Sequence, residues 1–328
     1  MQSTASAPPA VSVVIPVYNE EENIHLLCEK LHASLSTLDR TYEIILVDDG
    51  STDRTWQLLI ENLQKYPNFR AIRFRRNFGQ TAAMSAGFHA ARGEVIVTLD
   101  ADLQNDPTDI PKLLERIDAG YDVVSGWRKD RKDAFLNRRL PSMIANALIS
   151  RITGVALHDY GCTLKAYRSE VIKNVHLYGE MHRFIPALAS WVGGRIDEVV
   201  VSHHPRRFGK SKYGLSRTFR VVLDLLTVKF LLQYSTRPIH VFGRFGLLCG
   251  GIAAVMIAAV AIDRIFVLAD PHLLKRPFWI VTPLMMLAFG MQFISMGLLA
   301  EMQIRTYHEA QNKPIYVIRE TVESRPAA

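Results

Sequence analysis

The residues best suited to chemistry stand together in Thr98-Leu-Asp100-Ala-Asp102-Leu-Gln104, where the apolar run Val95-Ile-Val-Thr-Leu99 closes on two carboxylates spaced i and i+2. On an extended strand that spacing turns both carboxylates to one face. Two acidic groups converging at a strand end repel each other unless a cation lies between them, and hard oxygen donors suit Mg2+ or Mn2+. A divalent ion held there would in turn hold a diphosphate. An isolated Asp-x-Asp is also a common solvated turn, so its meaning depends on its surroundings.

The elements that would position such a site are legible around it. Residues 11–17, 43–47, 69–74, 94–99 and 121–125 read as strands, and 20–35, 53–65, 81–91 and 111–119 as helices, with Asn19-x-x-Glu22 as a capping box opening the first helix. Strand-helix alternation with nearly continuous apolar strands predicts an α/β fold built on a mostly parallel sheet covered by helices on both faces. Ligands bind such sheets at the carboxyl ends of the strands, where Pro16, Asp48, Asp49, Asp100 and Asp102 all fall. Residues 196–203 read as one more strand, followed by a basic, glycine-containing loop over 204–214.

The second half of the chain differs in kind. Residues 245–262 and 277–300 contain no charged side chain, and as helices they would be about 27 and 36 Å long against a hydrocarbon core of about 30 Å. Two membrane spans are expected. Residues 216–234 place Arg217, Arg220 and Asp224 on one stripe and Phe219, Val222, Leu223, Leu226 and Phe230 on another, the pattern of an amphipathic helix at a membrane surface. Basic residues before the first span and after the second put the N-terminal domain and the C-terminal tail in the cytoplasm of an inner-membrane protein. The divisions are a disordered leader over 1–10, a catalytic domain over 11–215, an interfacial region over 216–238, two transmembrane helices within 239–300, and a cytoplasmic tail over 301–328. Three cysteines, Cys28, Cys162 and Cys249, lack metal-like spacing. A net charge of +7 suits an anionic lipid surface, and no nucleic-acid motif accompanies it.

Val14-Ile-Pro-Val-Tyr-Asn-Glu20, Val47-Asp-Asp-Gly-Ser-Thr-Asp53, Arg76-Asn-Phe-Gly79 and Asp100-Ala-Asp-Leu-Gln104 together resemble the family 2 glycosyltransferases of GT-A fold, in the branch that charges polyprenyl phosphates. The resemblance runs from Val11 to about Tyr316 and takes in Phe293-Ile-Ser-Met-Gly-Leu-Leu-Ala-Glu301. It implies an inverting enzyme that moves one sugar from a UDP-sugar to undecaprenyl phosphate, using Mg2+ or Mn2+. Pro16, Tyr18, Glu20, Asp48 or Asp49, Asn77, Asp100 and Ala101 would bind the nucleotide. Asp102, Gln104 and Asp100 would hold the metal, and Arg128, Arg138 and Ser142 the acceptor phosphate. Arg206, Arg207, Lys210 and Lys212 would close over either phosphate. Asp159 is the candidate base or acceptor-orienting group, which makes Asp100, Asp102, Asp159 and Arg128 the catalytic set. Because the second pKa of a lipid phosphate is about 6, a base is dispensable on chemical grounds. His182 reads as a buried structural histidine and Arg183 as a site residue.

The segment Asp159-Tyr-Gly-Cys-Thr-Leu-Lys-Ala-Tyr167 resembles the 4-deoxy-4-formamido-L-arabinose transferases more than the glucosyltransferases, which puts an aminoarabinose-type donor first and glucose second. The resemblance also implies a homo-oligomer, with tetramers common. Gly246, Gly250, Gly251, Ala253 and Ala254 would permit close helix packing. Two other readings compete: a catalytically silent membrane scaffold, which intact Asp100, Asp102 and Gln104 oppose, and a processive polysaccharide synthase, which the absent Gln-x-x-Arg-Trp motif opposes.

Overall fold

The computed structural model describes residues 8–129, 146–205 apart from 148, 152 and 180, 314–324, and isolated positions at 227, 281, 285, 288, 291, 292, 295, 299, 302, 303 and 306. The chain divides into two compact units, residues 1–228 with 315–328, and residues 229–314.

The first unit is built on an eight-stranded sheet of order β7-β5-β6-β4-β1-β2-β3-β8. Its strands are β1 (Val11–Val17), β2 (Tyr42–Asp48), β3 (Phe69–Phe74), β4 (Val95–Thr98), β5 (Val123–Trp127), β6 (Lys165–Arg168), β7 (Ile196–Val200) and β8 (Ile318–Glu323). Strands β4, β1, β2 and β3 run parallel, as do β5 and β7. Strand β6 is antiparallel to both β4 and β5, and β8 is antiparallel to β3. The sheet is therefore mixed.

The central strands are apolar on both faces because helices cover both. Val13, Ile15, Ile44, Leu46 and Val97 pack with Leu27, Leu31, Leu59, Leu113 and Leu114 from α1 (Ile24–Leu35), α2 (Thr55–Lys65) and α4 (Ile110–Asp118) in one buried cluster. Helix α3 (Gln80–Ala90) packs on β1 and β2. Side-chain volume sets that approach: a Cβ on Gly87 would lie 2.1 Å from Val14 Cγ1.

Three features depart from expectation. The capping box does not form, and α1 begins at Ile24 with Asn19 outside it in a left-handed turn (φ 52°). Its side chain accepts instead from the Thr52 amide at 2.9 Å, while the Asn19 and Glu20 amides donate to Ser51 Oγ and Thr55 Oγ1. The loop after β1 is thus sewn to the loop after β2. Strand β6 was not anticipated, since four residues bearing Lys165 and Arg168 give no strand signal of their own. Nor does the sequence signal β8: the segment expected as a tail returns to the sheet and pairs with β3.

Both expected spans lie almost wholly outside the described residues, as does the amphipathic segment over 216–234. Among the described residues, no helix is long and apolar enough to cross a membrane.

Candidate active site

The carboxyl ends of β1, β2 and β4 open into a cleft of about 350 Å³. Pro16, Val17, Tyr18 and Glu20 line it from the loop after β1, Asp49 from that after β2, and Asn77, Gly79 and Gln80 from the approach to α3. Asp100, Ala101, Asp102, Gln104 and Asn105 enter after β4. Arg128 follows β5, and residues 160–163 with Lys165 and Tyr167 complete the wall through β6. Of Asp48 and Asp49, only Asp49 faces the cleft.

Asp48 and Asp49 separate because neighbouring strand residues face opposite ways. Asp48 is fully buried, accepts from the Ser51 amide at 3.0 Å and faces Arg73 Nε at 3.4 Å. Asp49 points into the cleft and accepts from the amides of Phe78 (2.7 Å) and Gly79 (2.9 Å). Burial outweighs those two bonds and, with the charge of Asp48 adding to it, pushes the Asp49 carboxyl up to about 6. Between them and the loop stands Gly50, at φ 69°, where a Cβ would lie 2.4 Å from the backbone carbon of Arg76. The Asp-Asp-Gly turn can close only with glycine there.

Asp100 and Asp102 both line the cleft as expected, but from the turn that follows β4 rather than from the strand: β4 ends at Thr98, and Ala101 between them lines the cleft too. Asp100 accepts from Gln80 Nε2 at 2.8 Å, and Asp102 from the Gln104 amide at 3.2 Å. Burial, with the neighbouring Asp102 charge, pushes Asp100 up to about 6. Leu103, a buried apolar residue, is held at φ 60° immediately after them. That left-handed turn carries strain of about 1–2 kcal/mol and returns the chain so that Gln104 and Asn105 also face the cleft.

Arg128 and Asp159 form a bidentate pair, Nε to Oδ2 at 2.7 Å and Nη2 to Oδ1 at 3.0 Å, with side chains 11% and 3% exposed. Glu198 accepts from the amides of His158 and Asp159, anchoring the loop from β7. Asp159 reaches the cleft only through Arg128 and its neighbours Tyr160 and Gly161, and its own carboxylate is occupied by the guanidinium. His182 is buried, as expected, and its Nδ1 lies 2.8 Å from Thr81 Oγ1, but it also lines the cleft beside Arg183. Arg138, Ser142, Arg206, Arg207, Lys210 and Lys212 lie outside the described residues. Sequence reasoning missed Gln80, Asn105 and Lys165; a lysine inside Cys-Thr-Leu-Lys-Ala-Tyr was the available signal.

Among the described residues, no three metal-ligating side chains cluster as a closed metal cage would require. Two carboxylates with an amide oxygen nearby fit a different mode, in which Mg2+ or Mn2+ takes its remaining oxygens from substrate phosphates and water.

Comparison with known proteins agrees with this geometry. A model of glycosyl transferase family 2 matches residues 12–175. The chain is 46% identical to the dodecaprenyl-phosphate galacturonate synthase of Rhizobium johnstonii, over 97% of this chain and 94% of that protein. It is 40% identical to the undecaprenyl-phosphate 4-deoxy-4-formamido-L-arabinose transferase of Edwardsiella ictaluri, over 96% and 94%. Among solved structures it resembles the glucosyl-3-phosphoglycerate synthase of Mycobacterium tuberculosis in complex with Mn2+, UDP and glucosyl-3-phosphoglycerate. That match has a TM-score of 0.54 at 18% identity, covering 68% of this chain and 80% of the other, and reflects a shared GT-A-like fold.

Proposed function

The chain belongs to glycosyl transferase family 2, and from that premise we propose that it transfers a single sugar from a UDP-sugar to a polyprenyl phosphate, with inversion, at the cytoplasmic face of a membrane. The observation that carries this reading is the juxtaposition of Asp49 with Asp100 and Asp102 in one cleft at the strand ends, in a chain that spans nearly the full length of polyprenyl-phosphate sugar transferases.

In this reading Asp49 accepts the uracil N–H, Tyr18 lies against the base, and Glu20 bonds ribose hydroxyls. Asp102, Asp100 and Gln104 hold Mg2+ or Mn2+, which when bound offsets the charge that builds on the departing diphosphate. Arg128, oriented by Asp159, draws the acceptor phosphate into line, a positioning effect that converts a collision of two anions into an ordered encounter. The phosphate is already ionised near neutral pH, so its oxygen attacks the anomeric carbon and UDP leaves without a protein base removing a proton. Asp159 is then a positioning residue.

Two spans within 239–300 would anchor the catalytic unit, with 216–238 on the membrane surface. Three observations support this: the uncharged runs, the exposure of Val281, Met285 and Leu299 at helical positions of the second run, and the return of β8 to the sheet. That return requires both ends of the intervening segment to lie on one side, as an even number of spans provides. The expected homo-oligomer rests on the family resemblance, with the small residues of the first run permitting close helix packing.

The galacturonate synthase adds galacturonate to formamido-arabinose and glucose as candidate sugars, so UDP-galacturonate joins the donors to be tried. Purified protein incubated with Mg2+ or Mn2+, undecaprenyl phosphate and these UDP-sugars should yield a lipid heavier by one sugar residue, and Asp102→Ala should yield none. UDP binding with no lipid product from any donor would favour the silent scaffold.

A further inference from the structure

Lys165 sits in the wall of the cleft on β6, paired in register with Thr98 of β4 and Ser125 of β5, and is 3% exposed. Its ammonium has three N–H donors. Two go to backbone carbonyls, of Tyr160 at 3.2 Å and of Cys162. Among the described residues no carboxylate forms an ion pair with it, and burial holds its pKa below the usual lysine value, a shift that the Asp159 and Asp100 charges oppose only in part. Carbonyls solvate an ammonium without cancelling its charge. A buried cation in an interior strand is destabilising unless an anion joins it, and an apolar residue would fill the same place at less cost.

With a nucleotide sugar seated as proposed above, the sheet order brings its sugar nearest to Lys165. In the sequence β6-β4-β1-β2, Asp49 and Tyr18 mark the nucleobase end after β2 and β1, and Asp100 and Asp102 mark the diphosphate after β4. Lys165 stands on the next strand beyond, where a nucleotide sugar has its sugar. The other cations of the cleft are placed differently. Arg128 is paired with Asp159 and meets the acceptor phosphate in the function proposed above, and Arg183 lies on the turn Met181–Phe184 that packs against α3.

We propose that Lys165 recognises a carboxylate on the donor sugar, so that the enzyme selects a UDP-hexuronate over its neutral hexose counterpart. This rests on the donor being a UDP-sugar seated as described above. UDP-galacturonate and UDP-galactose differ only in carrying –COO− or –CH2OH at C6. With the neutral sugar, Lys165 keeps a buried charge solvated only by the Tyr160 and Cys162 carbonyls, and a buried charge left without an anion discriminates more strongly than a change of apolar volume. A charge-assisted hydrogen bond corresponds to about 10- to 100-fold in affinity.

The test is calorimetric binding of UDP, UDP-galacturonate and UDP-galactose, with Mg2+ present, to the full chain and to its Lys165→Gln and Lys165→Arg variants. The wild type should bind UDP-galacturonate about 10- to 100-fold tighter than UDP-galactose. Lys165→Gln should bring the two donors within about 3-fold of each other while leaving UDP affinity unchanged, and Lys165→Arg should restore part of the preference. Equal wild-type affinity for the two donors overturns the proposal without recourse to any variant. So does a Lys165→Gln protein that loses UDP and both donors in parallel, the signature of a lysine that only braces the 160–162 loop. Failure of the wild type to bind UDP at all would overturn the nucleotide-sugar reading and this proposal with it.

Discussion

Replacing Asp159 by asparagine separates a positioning carboxylate from a catalytic base. The pair it forms with Arg128 is buried on both sides and held by two bonds of 2.7 and 3.0 Å. Asparagine preserves the shape and one acceptor oxygen, which the Gly161 amide, now 3.1 Å from Oδ1, still reaches. It removes the negative charge and turns an amide donor towards a guanidinium that offers only donors. Removing one partner of a buried ion pair costs about 3–5 kcal/mol, and the retained acceptor places Asp159→Asn near about 3 kcal/mol. For a unit of this size that is a fall of about 6–12 °C in the thermal midpoint. Turnover should fall with the loosening of Arg128 yet remain measurable. Leucine at both Arg128 and Asp159 should recover most of the lost stability and none of the activity, because an apolar pair has no charge left uncompensated. The reasoning fails if Asp159→Asn keeps the wild-type midpoint and abolishes turnover, which is the behaviour of a base.

The raised Asp49 carboxyl makes nucleotide binding depend on pH. UDP affinity in the absence of metal should fall as pH drops through about 6 and Asp49 protonates, and Asp49→Asn should flatten that profile in titration calorimetry. Stability runs the opposite way: carboxyls held up to about 6 in the fold but ionising lower in the unfolded chain contribute stability below the unfolded value. That contribution, from Asp49 and Asp100 together, is lost as pH rises towards 6, so the ligand-free protein should lose stability over that window in denaturant titrations. Gly50→Ala should destabilise by at least about 1–2 kcal/mol from its left-handed backbone alone, with the overlap on Arg76 adding to it and UDP affinity falling, read by chemical unfolding and calorimetry. Deleting residues 317–328 strips β8 from β3 together with the Arg70–Glu323 and Arg73–Glu320 ion pairs, and should yield a less stable, aggregation-prone protein by light scattering.

How much was legible in the chain follows from how local each feature is. The parallel core was readable because β1 to β4 and the helices between them carry their periodicity within short windows, and β1 and β3 have the expected limits. That Asp100 and Asp102 share the cleft was readable from the strand end before them, not from a two-residue period, since both stand in the turn after β4 with Ala101 lining the cleft between them. The Asn19 cap failed because the Asn19 side chain found a better donor in Thr52, 33 residues away, which no local pattern reports.

The residue types of the cleft, their order along the chain and the strand ends that carry them were determined by the sequence alone, since backbone periodicity and local hydrogen-bonding preferences act over a few residues. Which of Asp48 and Asp49 faces the cleft, that Asp159 is the counter-ion of Arg128, that β8 pairs with β3, and that Lys165 lies buried in the cleft wall were decided only by the tertiary structure. Each depends on side chains brought together by sheet order and strand direction, and those are set by burial summed over the whole fold.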